Sequence, residues 1–326
     1  MKAIVATRYG SPEVFRLEEI PSPVPADDEI LVRVRATTVS AAHSMMRQGR
    51  PLVGRLFTGL RRPRQAVPST EFAGRVEAVG PAVTSFSPGD EVFGETGIRA
   101  GCAAEYVCVR EGGALSIMPF NLSATAAAAI VDGGSTSLYF LRDKAKLRPG
   151  HRVLINGASG SVGTAAVQLA RHLGADVTGV CSAANLDLVR ALGADDVIDY
   201  TAEDFTEGDR RYDIVFDTVG KSSFARCRRI LEAGGVYLTT VPSFAIYPQM
   251  LLTSRIGDKR AVIAAAGLRR DEEKTQGLIM LKGLLEEKLI IPVVDRTYPL
   301  AQIAEAHRYV DTGRKKGSVV LTVEES

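Results

Sequence analysis

The stretch Val153-Leu-Ile-Asn-Gly157-Ala-Ser-Gly160-Ser-Val-Gly163 runs from an apolar strand straight into an amphipathic helix. Val162, Ala166, Leu169 and Leu173 recur at helical spacing along one face, and Gly174 stands where that helix should end. Each glycine has a separate task in such a turn. Gly157 permits the sharp reversal off the strand, Gly160 leaves bare backbone for a pyrophosphate to approach, and Gly163 lets helix and strand pack closely. The helix N-terminus, opened by Ser161 and Val162, adds free N–H groups and the positive end of its dipole. The Gly-x-x-Gly-x-x-Gly spacing is one residue longer at its first step than the usual dinucleotide fingerprint. The strand before it and the helix after it supply the context that makes it a dinucleotide site, with Ala158 and Ser159 inside the loop.

Outward from this turn the texture is regular. Strands are expected over 152–156, 177–181, 212–217, 236–240 and 260–265, with helices over 161–173, 186–192 and 222–231 between them. Strand and helix alternating at this interval imply a parallel sheet with right-handed crossovers. Upstream, residues 1 to about 120 read instead as short strands (14–20, 29–39, 71–79, 91–94 and 104–109) punctuated by Gly and Pro. Within 30–36, Val32 and Val34 share a face opposite Arg33 and Arg35. Downstream, helices over 271–288 and 300–312 and strands over 291–294 and 318–323 complete the pattern.

The whole chain has 326 residues, 40 Lys and Arg against 38 Asp and Glu, and a formal charge of +2. That balance argues against an electrostatically driven nucleic-acid binder, and the length suits two domains. No apolar run approaches the ~18 residues of a membrane span, and Arg8 interrupts the start before a signal-type apolar core forms. The four cysteines form no Cys-x-x-Cys pair, so reduced thiols and a cytoplasmic setting are expected.

Which nucleotide binds is read at the tip of the second parallel strand. An acid there would hold the ribose hydroxyls of NAD and repel a 2′-phosphate. The tip reads Val180-Cys181-Ser182, followed by Ala183-Ala184-Asn185, and Asp176 lies at the other end of the strand. With neutral Ser182 and Asn185 at the tip and Tyr200 after the next strand, NADPH is favoured over NADH. Arg190, one helical turn on, is the nearest base.

Taken together these segments resemble the medium-chain dehydrogenase/reductases, in the zinc-independent quinone oxidoreductase branch. The likeness is carried by Tyr9-Gly-Ser-Pro-Glu-Val14, Phe72-Ala-Gly-Arg-Val-Glu-Ala-Val-Gly80, Pro88-Gly-Asp-Glu-Val-Phe-Gly94, Ala104-Glu-Tyr-Val107, Leu192-Gly-Ala-Asp195, Val197-Ile-Asp-Tyr200 and Asp217-Thr-Val-Gly220. It implies an α/β protein: a doubly wound Rossmann NADP-binding domain (125–267) and a GroES-like, β-rich catalytic domain built from both chain ends (1–124 and 268–326). It also implies a cleft where nicotinamide meets substrate, and a homodimer formed through the Rossmann sheets. By this analogy Thr136 and Val241-Pro242-Ser243 approach the nicotinamide, and Gly157 to Val162 hold the pyrophosphate. Cys181, Ser182, Asn185 and Tyr200 surround the adenosine phosphate, and Val219 and Gly220 lie on the adenine side.

Two positions depart from the zinc-dependent relatives. Ser40 and Ser69-Thr70-Glu71 stand where those relatives carry Cys and Gly-His-Glu, and no four-cysteine lobe exists, so no metal is expected. Gly317-Ser318 replaces a family Gly-Lys. Without a Lewis acid, reduction of a quinone or conjugated enone is the better reading than alcohol oxidation, because the acceptor itself delocalises the incoming charge. His43, in the loop after Ser40, reads either as a proton donor to the developing oxyanion, which Ser40 could hydrogen-bond instead, or as a structural hydrogen bond replacing a family aspartate. Residues 30–70 hold eight arginines and no acid, which reads either as a rim for an anionic acyl substrate or as a solvated lid. An enoyl-thioester reductase and a non-catalytic NADPH-binding sensor are the alternatives.

Overall fold

The computed structural model describes residues 1–323, the side chains of Val53 and Phe57 excepted. The described residues pack as two compact units, one of residues 1–132 with 267–323 and the other of 133–266. The first border falls inside the helix Ala124–Leu138 rather than before it.

In the second unit six parallel strands lie in the order Asp196–Asp199, Asp176–Cys181, Arg152–Asn156, Tyr212–Asp217, Leu231–Thr239, Arg260–Ile263. Chain direction reverses its progress across the sheet at Arg152–Asn156, the first strand of the unit. That reversal opens a crevice at the carboxyl ends of the strands, where open α/β sheets bind ligands. Val153, Leu154 and Ile155 are fully buried, which suits a central strand covered on both faces. The helix Ser161–His172 follows at once and buries Ala166 and Leu169 against the sheet. Gly174 ends its turn at φ +81°, where a side chain would be strained.

In the first unit a seven-stranded sheet runs Val294–Pro299, Ser318–Thr322, Glu29–Val39, Glu71–Val79, Glu91–Glu95, Ala114–Ile117, with Tyr106–Arg110 also paired to Glu29–Val39. Val32 and Val34 point into the core between half-buried Arg33 and Arg35, as the alternation requires. The terminal strand Ser318–Thr322 pairs antiparallel with Glu29–Val39, which is how both ends of the chain enter one sheet.

Several elements differ from their sequence expectation. The helix expected over 222–231 is only Phe224–Cys227 with a 3-10 turn Arg228–Ile230, because buried Leu231 already pairs with Tyr212 as the first residue of the next strand. The strand expected over 291–294 instead occupies Val294–Pro299, since Pro292 has no N–H to give a ladder. Three helices, Ala41–Gln48, Arg55–Thr58 and Ile246–Thr253, were not expected at all. Among the described residues no helix is long and apolar enough to cross a membrane.

Candidate functional site

The second unit gathers most of the residues singled out at the glycine turn. Gly157 has φ +81°, and a Cβ there would meet Thr218 Oγ1 at 2.7 Å. A Cβ on Gly163 would come within 2.1 Å of the Gly157 carbonyl oxygen, so helix and turn touch backbone to backbone. Gly160 is different: its Cβ would meet only that carbonyl, at 3.4 Å. Space is therefore kept open at the one glycine assigned to the pyrophosphate. The helix Ser161–His172 begins at Gly160 with no side chain capping it. An anion is the natural partner of an uncapped helix end beside a bare backbone. Helix Ala124–Leu138 closes on this turn as well: a Cβ on Gly133 would lie 2.5 Å from Ser161 O, and Ser137 Oγ donates to Val162 O at 2.8 Å. That contact sets Thr136, itself buried, beside the helix N-terminus.

At the tip of Asp176–Cys181, Asn185 is buried and its Nδ2 donates to Ser159 Oγ at 3.1 Å and Ser182 Oγ at 3.3 Å. Among the described residues its Oδ1 is buried without a partner. The Tyr200 N–H donates to Cys181 O at 3.1 Å, and the phenol ring is exposed. Cys181 itself is buried, and burial pushes its thiol up to about 11, which makes it a wall rather than a nucleophile.

Sequence reading overlooked two carboxylates here. Asp199 lies in register with Cys181 on the neighbouring strand, so an acid does stand beside the tip. Bonds from the Thr201 backbone and side chain hold its carboxyl below the usual range. Asp217 is fully buried and collects five donors. Its Oδ1 accepts from Asn156 Nδ2 (3.0 Å), Val219 N (3.1 Å) and Gly220 N (2.9 Å), and its Oδ2 from Ser222 N (3.0 Å) and Tyr237 OH (3.0 Å). This carboxylate sets the loop that presents Val219 and Gly220, and a Cβ on Gly220 would meet Val241 Cβ at 2.6 Å. Pro242 and the exposed Ser243 continue from there. The signal was present: Asn156 and Asp217 are the polar residues that close two apolar strands at the same end of the sheet.

Ser40 and His43 belong to the first unit, and both are buried. His43 is not in a loop but in the first turn of Ala41–Gln48. The reason is local: Ser40 Oγ accepts from His43 N at 3.3 Å, and His43 Nδ1 accepts from Ser40 N at 3.2 Å, a reciprocal cap that starts the helix. His43 Nε2 lies 2.9 Å from Thr70 Oγ1, which in turn donates to Glu71 Oε1 at 2.5 Å. Thr38 Oγ1 donates to Glu71 Oε2 in a short bond. Burial lowers the pKa of His43 and raises that of Glu71. Glu95, the register partner of Glu71, has Oε1 3.4 Å from Lys274 Nζ, and burial pushes its carboxyl up to about 7. Behind this cluster His307 Nδ1 meets Ser44 Oγ at 3.2 Å, and burial holds the ring neutral down to about 2. Ser318 is buried and donates to Ala129 O at 2.7 Å.

Comparison with known proteins fits this geometry. Residues 26–120 match the alcohol dehydrogenase GroES-like domain, and residues 192–321 the family described as zinc-binding dehydrogenase. The chain is 31% identical over 333 residues to 2-methylene-furan-3-one reductase of Solanum lycopersicum, covering 98% of this chain and 79% of that protein. It belongs to the medium-chain dehydrogenase/reductase superfamily. Within that superfamily it is also 30% identical to the chloroplastic NADPH-dependent alkenal/one oxidoreductase of Arabidopsis thaliana, over 98% of this chain and 79% of the relative. The solved quinone oxidoreductase of Coxiella burnetii superposes with a TM-score of 0.88 at 27% identity, covering 99% of both chains.

The zinc implied by one family description finds no donor set here. Ser40 Oγ is engaged in the helix cap and Thr70 Oγ1 in bonds to His43 and Glu71. Among the described residues no three His, Cys, Asp or Glu side chains converge as metal ligands do.

Proposed function

We propose that this medium-chain dehydrogenase/reductase is an NADPH-dependent oxidoreductase that reduces a quinone or an α,β-unsaturated carbonyl without zinc. The observation that carries this reading is the engaged pair of hydroxyls, Ser40 and Thr70, where metal-dependent relatives place ligands. A site that offers hydrogen bonds alone suits an acceptor that delocalises charge by conjugation. The relatives named for enone and quinone reduction support the same class. When bound, the nicotinamide supplies the hydride. Gly157 to Val162 hold the pyrophosphate, and Ser182, Asn185 and Tyr200 take the adenosine phosphate. Val219 and Gly220 flank the adenine, and Thr136 with Val241, Pro242 and Ser243 seats the nicotinamide. NADPH oxidation against a panel of quinones, enones and enoyl thioesters, with and without a chelator, tests the proposal. Turnover of quinones or enones that survives chelation is the expected result, and activity lost with a stoichiometric metal overturns the zinc-free reading.

A second reading, an enoyl-thioester reductase, is favoured by one feature. Arg50, Arg61, Arg62 and Arg64 are exposed within an acid-free segment, and they suit a phosphate-bearing thioester. The thioesters in the panel decide between the two.

Cofactor preference is open to a charge test at the strand tip. Ser182→Asp adds a second acid next to Asp199 and should weaken NADPH binding about 10–100-fold relative to NADH. Asp199→Asn should move the ratio the other way. Dissociation constants for both cofactors check this, and unchanged ratios would place the 2′-phosphate elsewhere.

The homodimer remains part of the proposal. Among the described residues Arg260–Ile263 is the last strand of its sheet and pairs on one side only, and Phe244, Leu251, Leu252 and Ile256 near it in sequence are exposed. Sedimentation velocity reads the resulting mass.

A further inference from the structure

Residues 50–64 of the first unit place bare leucine beside unpaired arginine. Leu52, Leu56 and Leu60 are 71%, 57% and 65% exposed. A leucine exposed singly is ordinary, but three within a stretch this short form a surface that water does not favour. Arg50, Arg61, Arg62 and Arg64 are exposed among them, and no acid lies between residues 30 and 70. Several exposed arginines elsewhere have carboxylate partners: Arg171 has Asp195, Arg226 has Asp204 and Arg308 has Glu13. Among the described residues these four have none.

The segment is held in place by contacts that leave the leucines and the four arginines outside. Leu52–Gly54 and Arg55–Thr58 are consecutive helical turns, which put Leu52 and Leu56, four residues apart, on one face. Tyr9 pins these turns from the chain's first residues. Its hydroxyl donates to Gly59 O at 2.6 Å and lies 3.0 Å from Thr58 Oγ1. The Arg55 guanidinium sits 4.6 Å from the centre of the Tyr9 ring and donates to Gly49 O at 3.0 Å. Arg55 is thus spent on the frame. The chain then folds back at Gly59, φ 120°, where a Cβ would come within 2.0 Å of Arg62 O, and Arg64 N–H donates to Thr58 O at 2.7 Å. Leu60 and Arg61 form the tip of this turn.

The chemistry of the face selects its partner. A free phosphate-bearing ligand or a nucleic acid would engage the arginines and leave the leucines in water. A second copy across a two-fold axis would set arginine against arginine. A bilayer with anionic lipid offers both complements at once, phosphates at its surface and an apolar layer just beneath them. We propose that residues 50–64 dock the protein on a membrane surface that carries anionic lipid, with the arginines at the headgroup phosphates and Leu52, Leu56 and Leu60 in the acyl boundary. The segment lies on the bilayer and does not cross it. Docking of this kind uses the first unit alone and needs neither cofactor nor acceptor, so it stands apart from the reductase reading.

The chain has no tryptophan, so Leu56→Trp supplies a single reporter at an exposed position. With vesicles of about one-third phosphatidylglycerol in phosphatidylcholine at low salt, its emission should move to the blue and be quenched by lipids brominated in the acyl chain. Vesicles of phosphatidylcholine alone should do neither. In co-sedimentation with the anionic vesicles, Arg61→Gln/Arg62→Gln should partition about 10–30-fold less than wild type, and salt near ~0.5 M should release the wild type. Leu52→Ser/Leu56→Ser should partition about tenfold less, with circular dichroism melts showing that both double variants are folded. A wild type that stays in solution with anionic vesicles at low salt overturns the docking. Partition with unshifted emission, or partition that the leucine variant leaves unchanged, overturns insertion and with it the proposed mode. Retention by an acidic carrier protein without partition onto vesicles assigns the face to a protein partner and overturns the proposal as well.

Discussion

Gly160→Val is expected to give a folded protein that no longer binds NADPH, while Gly163→Ala, a smaller change three residues on, is expected to cripple folding. At Gly160 the added Cβ meets one carbonyl oxygen at 3.4 Å, an ordinary contact, and φ is −80°, comfortable for any residue. The branches of valine then fill the space where phosphate must reach the helix N-terminus. At Gly163 the Cβ falls 2.1 Å from Gly157 O, against backbone that cannot rotate away. Strand and helix must separate, at a cost of about 3 kcal/mol or more. Circular dichroism melts and calorimetric titration with NADPH read both effects. Undiminished NADPH affinity in folded Gly160→Val would remove the main support of the dinucleotide site.

Asp217→Asn should be the most damaging isosteric change in the second unit. Five donors converge on the two carboxylate oxygens. An amide nitrogen in place of Oδ1 opposes three donors, two of them backbone N–H groups. In place of Oδ2 it opposes Ser222 N–H, although the Tyr237 hydroxyl can rotate to accept. Either placement strands a buried backbone N–H, a loss of about 2–4 kcal/mol. Because the same bonds shape the loop at Val219 and Gly220, NADPH affinity should fall along with the melting temperature. A variant that melts with the wild type would show that the loop stands without this hub.

The parts legible in sequence were those whose signal is local. Gly157, Gly160 and Gly163 lie within seven residues, and their strand and helix are contiguous with them, so fold and ligand class followed from one segment. Ser182, Asn185 and Tyr200 could be placed because the βα unit has a nearly fixed length. Asp199 was missed because its closeness to Cys181 depends on register between two strands, which no single stretch encodes. His43 was read as a loop residue because the helix that holds it begins with a Ser-x-x-His cap, in which a histidine does the work usually sought from Glu or Gln. Thr38, Thr70 and Glu71 escaped notice because each is unremarkable in its own segment. They become a chain only when 29–39, 41–48 and 71–79 are folded together.

The strand Ser318–Thr322, paired with Glu29–Val39, has a consequence for biosynthesis. Residues 133–266 form a unit from one continuous stretch and can close as soon as they have left the ribosome. The other unit is made from stretches on both sides of it: Ala36–Val39 must wait until Ser318–Thr322 has been made before its partner there exists. During that interval Ala36–Val39 presents an open edge, while Glu29–Arg33 is already paired with Tyr106–Arg110. A nascent chain stalled before Ser318 would thus hold residues 133–266 complete yet lack the strand that finishes the sheet carrying Thr70 and Glu71.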